Sequence, residues 1–597
     1  MNLKNPEKQY IKAMKRFKNL IEKQNKNISL ISNLRLLIFT LGAVFTGILY
    51  FKKNYYISIG IFLSFLILFV WVALIHNRII INRKYSTALY EINSKSLQRL
   101  EGEWTSFEDS GEEFIDKNNK YTGDLDIFGK SSLFQWINTS STYIGRINLK
   151  DKLIKPAKDI EKIKLKQEAI NELSKKLSFR QRLMAEGYTI SSKMQPLDNL
   201  YAWAQKRNKV YEKYWVIIFV TIMPVITITL TILPFLNNEI PFYLAFISYL
   251  VNMAILFTYS AGKSKTLDEV NSYKNNLRVY YKMLKLIEKS KFQCEYLKSI
   301  NVSSSSKSID KLTKISEMIS MRNSSIYMVI NILSLWDFQC LIRLEKWKGQ
   351  NGDNLKMWID CVGEIESLSS LSVIHFDHPE WAFPNILDEK PQMSATMLGH
   401  PLLSEKRVYN DVSIKDPSNI LLITGSNMSG KSTFLRTIGI NLILSYTGAP
   451  VCAKSFNASI MEVYTCMRIS DNLEESISSF YAELIRIKMI VSASKEGKHI
   501  FFLLDEIFKG TNSLDRHTGA KILIKQLQSS GAVGLVSTHD LELGELEKES
   551  SGKVKNYHFR EYYKNDEIHF DYKLRPGVST TRNALYLIKM AGLDIKG

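Results

Sequence analysis

Two short stretches of this 597-residue chain hold side chains whose types and spacing could do chemistry together. The first, "GSNMSGKST", sets Gly425, Gly430, Lys431 and Ser432 at the spacing G-x-x-x-x-G-K-[ST]. Glycines at both ends let the backbone N–H groups of Ser426, Asn427, Met428 and Ser429 close around a phosphate, and a helix running on through Thr433 would point its positive end at it. Lys431 would neutralise β- and γ-oxygens, and Ser432 would place a hydroxyl on Mg²⁺. Seventy residues on, "HIFFLLDEIF" ends an apolar run at Asp505-Glu506. Asp505 would hold the metal's shell, and Glu506 would orient and polarise an attacking water. After another apolar run, "AVGLVS", comes His539, placed to sense a γ-phosphate. The hydroxyls of Ser478 and Ser479 precede a helical pattern and suit a phosphate presented by a second subunit.

The elements that must position these groups follow from patterning. From about residue 400 the chain alternates buried strands with helices, as an α/β domain does. "NILLIT" feeds the glycine loop, and "TFLRTIGINLIL" leaves it as a helix. Upstream, 86–104, 160–184 and 265–300 carry apolar residues at helical spacing with charged outer faces. Residues 370–400, rich in Pro and turn formers, read as a passage between domains. The five cysteines are scattered without metal spacing, consistent with reduced thiols.

Four apolar runs, 34–51, 55–76, 215–236 and 241–259, approach or reach the roughly 20 residues that cross a bilayer. They form two pairs with turns too short to hold a domain ("KKN" and "NNEIP"), so each pair is a hairpin returning to the side it left. Aromatic residues crowd the ends, among them Tyr55, Tyr56, Trp215 and Tyr243. The first 35 residues carry nine Lys/Arg against Glu7 and Glu22, and "NRIIINRK", "QKRNKVYEKY" and "GKSK" are also basic. Only Lys52 and Lys53 oppose them. Both hairpins are therefore expected to enter an inner or cell membrane from the cytoplasm, with both termini and the α/β domain inside, and no cleavable signal is expected.

The motifs of the last 200 residues, taken in order, resemble the MutS family of DNA mismatch-repair ATPases, a branch of the ABC-type ATPases. "GHPLL", "TGSNMSGKSTFLR", "GINLILSYTGAPVCA", "RISDNLEESISSFYAEL", "DEIFKGTNSLD", "THDLELGELE" and "YKLRPGVSTTRNALYLIKMAGL" each have a counterpart there. Residues 123–173 resemble the start of the family's helical lever. The resemblance covers about 120–213 and 261–597. It implies ATP and Mg²⁺ as ligands and a homodimer in which Ser478 or Ser479 of one copy reaches the other's nucleotide. It also implies DNA as a partner, which the +20 formal charge would suit. The expected organisation is a basic arm (1–33), a membrane hairpin (34–76), an amphipathic helical linker (77–122), a first lever part (123–214), a second hairpin (215–259), a second lever part (260–398) and a P-loop ATPase domain (399–597).

The sequence also departs from that family. A hairpin stands where mismatch-reading and connector domains are expected, and Phe559-Arg560-Glu561 is the one Phe-x-Glu, within an expected strand of the ATPase domain. Two other functions share the same ATPase residues. One is an ATPase gating an unknown protein partner at the membrane without DNA. The other, an ABC transporter half, has too few spans and no LSGGQ-like segment.

Overall fold

A computed structural model describes residues 5–116, 118–188, 195–236, 239–257, 262–300, 303–404, 407–468, 479–508, 512–564 and 567–579. It is largely helical, with two mixed sheets in the C-terminal third. Two helices of 46 residues open the chain, α1 (Pro6–Phe51) and α2 (Tyr55–Leu100). Asn5 caps α1 by accepting from the Lys8 N–H, with Pro6 in the first turn, where its missing donor costs nothing. At 1.5 Å per residue each helix is roughly 70 Å long, and the pair turns at Lys53, whose φ is +59°. The expected border at 33/34 is thus no break: arm and apolar run are one helix. The expected linker also differs. Its helix ends at Leu100, and the chain beyond buries Trp104 and Tyr121 in the main core.

Helices Pro6–Phe51, Tyr55–Leu100 and Tyr214–Leu236 each hold a stretch long and apolar enough to cross a membrane. The partner of the third, Tyr243–Phe257, has 15 residues, roughly 22 Å of helix. Position 259 of the fourth expected run lies outside the described residues. Pro224 and Pro234 sit within Tyr214–Leu236 without ending it.

The centre of the helical region is Leu355–Asp377, buried along most of its length against Tyr143–Ile154 and Ile160–Lys175. Its Glu366 accepts from the Ser141 N–H (2.7 Å), the Ser141 hydroxyl (2.8 Å) and the Thr142 hydroxyl. At its far end Asp377 draws the stems of the first hairpin together. Tyr10 of α1 donates to one carboxylate oxygen at 2.7 Å and Arg99 of α2 to the other at 2.8 Å. All three side chains are buried. Burial works against the Arg99 charge, yet Asp377 and Tyr10 hold its pKa above the ordinary value, while burial and Asp377 push the Tyr10 phenol up.

Strands begin earlier than expected, at residue 385. β1 (Asn385–Leu387), β2 (Met393–Leu398), β3 (Asn410–Ile414) and β5 (Ser455–Ser459) form one sheet in the order β1-β5-β2-β3. The second sheet holds β4 (Ile420–Thr424), β6 (Glu462–Cys466), β7 (Ile500–Asp505), β8 (Val533–Thr538), β9 (Val554–Lys564) and β10 (Glu567–Pro576). Its order is β10-β9-β4-β8-β7-β6, parallel except for β10. The near-continuous apolar runs of β4, β7 and β8 are what strands covered on both faces require. Thr424 pairs with Thr538, and Asp505 with Ser537, so the carboxyl ends of β4, β8 and β7 lie level.

Candidate functional site

That common edge gathers the residues singled out from sequence. β4 runs into the loop 425–430, and helix Lys431–Thr447 leaves it. Gly425 has φ +151° and Gly430 φ +101°. A Cβ on Gly425 would lie 2.9 Å from the Ser429 hydroxyl and 3.1 Å from the Phe559 carbonyl, and one on Gly430 2.9 Å from the Tyr572 ring. Only glycine fits both positions. Between them Met428 also takes a positive φ, +65°, with its side chain out in solvent.

Lys431 is buried at 4% exposure, and its ammonium donates to the Gly425 and Ser426 carbonyls at 2.9 Å each. The Ser426 hydroxyl donates to Glu561 at 2.9 Å, and Phe559 packs edge-on against Phe434 at 5.7 Å. Both residues of that Phe-x-Glu therefore brace the loop from β9.

From the neighbouring strands, Asp505 ends β7 and accepts from the Ser537 hydroxyl of β8. Glu506 follows with φ +50°, its N–H held by the Ser537 carbonyl at 3.0 Å. A non-glycine residue in that region of backbone space is costly, and such residues cluster at working sites. Here the turn aims the carboxylate at two bases. Glu506 Oε1 is 2.8 Å from His539 Nε2 and 3.8 Å from Lys431 Nζ. Glu506, His539 and Lys431, scattered over 109 positions, thus form one cluster. Ser432 and Thr433 sit in the first turn of the helix, lining the same cavity of about 390 Å³.

The groups fit a triphosphate and a divalent cation. The loop presents a helix amino end, and the Ser429 hydroxyl is buried there without a hydrogen-bond partner among the described residues. Asp505 and Ser432 supply the hard oxygens that Mg²⁺ prefers. Ser478 lies outside the described residues. Ser479 opens helix Ser479–Lys495. That helix is anchored by Arg486 to Asp124 at 2.9 Å, and Asp124 also accepts from the Thr465 hydroxyl at 2.7 Å and the Arg468 N–H at 3.0 Å. A buried carboxylate at the start of the helical segment expected from 123 onward thereby ties that segment to the helix beside the site.

Among the cavity residues that sequence reasoning missed, Tyr572 and His400 stand out. Tyr572 stands over Gly430 because β10 shifts register between Phe570 and Leu574, a bulge that no local pattern announces. His400 lines the other wall, and burial, with Arg436 and Arg407 nearby, lowers its pKa to about 4. The unfolded chain takes up that proton near pH 6.5, so the folded domain loses stability as pH falls through the interval down to about 4. Lowering pH from 7 to 5 is expected to cost about 2 kcal/mol at this residue. Urea unfolding of this domain followed against pH checks it: His400→Gln should flatten that part of the profile.

Residues 421–596 match the family model for MutS domain V. The DNA mismatch repair protein MutS of Aquifex pyrophilus is 30% identical over 237 residues, 39% of this chain and 27% of its own length. That of Carboxydothermus hydrogenoformans is 31% identical over 266 residues, 43% of this chain and 31% of its own length. That of Halalkalibacterium halodurans is 35% identical over 188 residues, 31% of this chain and 21% of its own length. The chain thus spans less than a third of the length of each of these relatives.

Proposed function

From a chain that is a member of the MutS family through its C-terminal domain, we propose a membrane-anchored ATPase that binds and hydrolyses ATP at a composite dimer interface and acts on DNA. The observation that carries the ATPase reading is the cluster of Glu506, His539 and Lys431 beside a glycine loop at a helix amino end. Lys431 leaves its loop carbonyls to neutralise phosphate oxygens. Glu506 polarises the attacking water, and His539 holds that carboxylate in place and reads the γ-phosphate. Ser432 and Asp505 would hold Mg²⁺, which when bound would supply charge neutralisation at the phosphates. The Ser478–Ser479 segment of a second copy completes the site, so ATP closes the dimer and hydrolysis reopens it. Tyr572, with its ring over the cavity, offers the base a stacking face.

The membrane reading rests on the apolar helices, whose outward side chains (Phe39, Trp71, Ile222 and Phe246 among them) are exposed to surroundings that water would not favour. Both hairpins enter from the face that bears the nucleotide site, a cytoplasmic one. DNA binding rests on the family and on the +20 charge.

The test is ATP hydrolysis by the detergent-solubilised full chain with and without duplex, mismatched and branched DNA. We expect DNA to raise turnover several-fold, with a preferred structure. Turnover indifferent to every DNA would move the function to gating a protein assembly and assign the basic charge to anionic lipid.

A further inference from the structure

Helix Tyr327–Ser334 has eight residues and the sequence "YMVINILS", roughly 12 Å of helix and far too short to cross a bilayer. It packs against both helices of the second apolar pair, Tyr214–Leu236 and Tyr243–Phe257. The Asn252 amide, fully buried, donates to the Ile332 carbonyl at 2.8 Å and to the Thr227 hydroxyl at 3.0 Å. On the other side Ile326, Met328 and Val329 are 61, 64 and 59% exposed. On the paired helices Ile222, Val225 and Val251 are exposed too.

We propose that Tyr327–Ser334 lies within the hydrocarbon of the bilayer as a third, non-spanning element of the second hairpin, with Ile326, Met328 and Val329 facing acyl chains. This rests on the membrane reading given above. Depth is the first argument. Thr227 is the fourteenth residue of its helix, about 20 Å along it, which leaves roughly 14 Å of helix beyond. If the short helix stayed in water, only that tip could enter lipid, and the hairpin could not approach the roughly 30 Å it must cover. Placing the short helix in the hydrocarbon restores the missing depth.

Backbone satisfaction is the second argument. A helix end in hydrocarbon must have its carbonyls met within the protein. Here the Asn331 carbonyl accepts from the Leu335 N–H at 2.8 Å, Ile332 from Asn252, and Ser334 from the Gln339 amide at 2.8 Å. Leu335 then takes φ +50°, and the chain turns by 72° into the next helix. Asn331, Tyr327 and Asp337 close the turn: the Tyr327 hydroxyl donates to Asp337 at 2.6 Å, and the Asn331 amide to that hydroxyl at 2.9 Å. A helix exposed to water would need none of these partners.

The experiment uses the full chain with Cys294→Ser, the other four cysteines being buried. Met328→Cys and, separately, Val329→Cys are labelled with an environment-sensitive fluorophore in phosphatidylcholine–phosphatidylglycerol nanodiscs. Doxyl lipids serve as quencher. Phe246→Cys on the paired helix is the lipid reference, and Lys311→Cys on helix Ser305–Ile319 the water reference. The expected result is a blue-shifted label at 328 and 329, quenched several-fold more than at 311 and about as much as at 246. Labels at 328 and 329 that behave like 311 while 246 is quenched overturn this inference and leave the membrane reading standing. An unquenched label at 246 overturns the membrane reading and this inference with it.

Discussion

Replacing Glu506 by Gln is expected to lower ATP turnover by about 10²- to 10⁴-fold while leaving ATP binding within a few-fold of the parent. The substitution keeps shape and an acceptor for His539, now 2.8 Å from Glu506 Oε1, and removes only the charge that can take a proton from water. The loop that would grip the phosphates is untouched, since Lys431 contacts Gly425 and Ser426 directly and Glu506 only at 3.8 Å. Because hydrolysis would reopen the dimer, the variant should accumulate as the closed, ATP-bound form. Single-turnover hydrolysis, nucleotide affinity and mass in solution with ATP check the three parts separately. A variant that keeps near-parental turnover would remove Glu506 from the role of base. One that loses ATP affinity as steeply as turnover would make it a binding residue.

The second large effect is expected far from the nucleotide. Asp377→Ala strands Arg99 as a buried charge without its carboxylate and deprives Tyr10 of its acceptor. Breaking a buried pair from one side costs about 3–5 kcal/mol, because the surviving guanidinium can neither reach water nor shed its proton. Arg180, also buried nearby, adds like charge. Hydrogen exchange of the Leu355–Asp377 amides should therefore quicken by about 10²- to 10⁴-fold where protection reflects opening of this junction. Arg99→Leu combined with Asp377→Leu removes both charges, and more than half of the lost protection should return. If the single substitution leaves exchange unchanged, the three side chains do not tie the stems to helix Leu355–Asp377.

Much of the site was legible because its signals are local. The spacing of Gly425, Gly430, Lys431 and Ser432 reports a loop whose geometry follows from the residues that form it. The apolar runs ending at Asp505 and just before His539 report strands whose ends must lie level once they pair in parallel. The family match over 421–596 agrees with that reading of the C-terminal domain. What escaped depends on pairing between distant segments. Tyr572 reaches the cavity through a register shift, and Glu561 reaches Ser426 across 135 positions. The early strands β1 and β2 hide in a Pro-rich stretch, because strands of three and six residues leave little periodicity to read. The helix Tyr327–Ser334, one apolar run of eight residues, looks like ordinary core until its neighbours are known.

The tie at Asp377 also sets an order of events during synthesis. Both stems of the first hairpin are complete when residue 100 leaves the ribosome, yet the carboxylate that joins them follows 278 residues after Arg99 and 367 after Tyr10. At about 5–20 residues per second that interval is roughly 15–55 s. Throughout it Tyr10 and Arg99 lack that carboxylate, and the pair of long helices is held by its own packing and, on the membrane reading, by lipid. On that reading the nascent chain would be moored before its last third exists, so the proposed ATPase domain would be born beside the bilayer and need not find it.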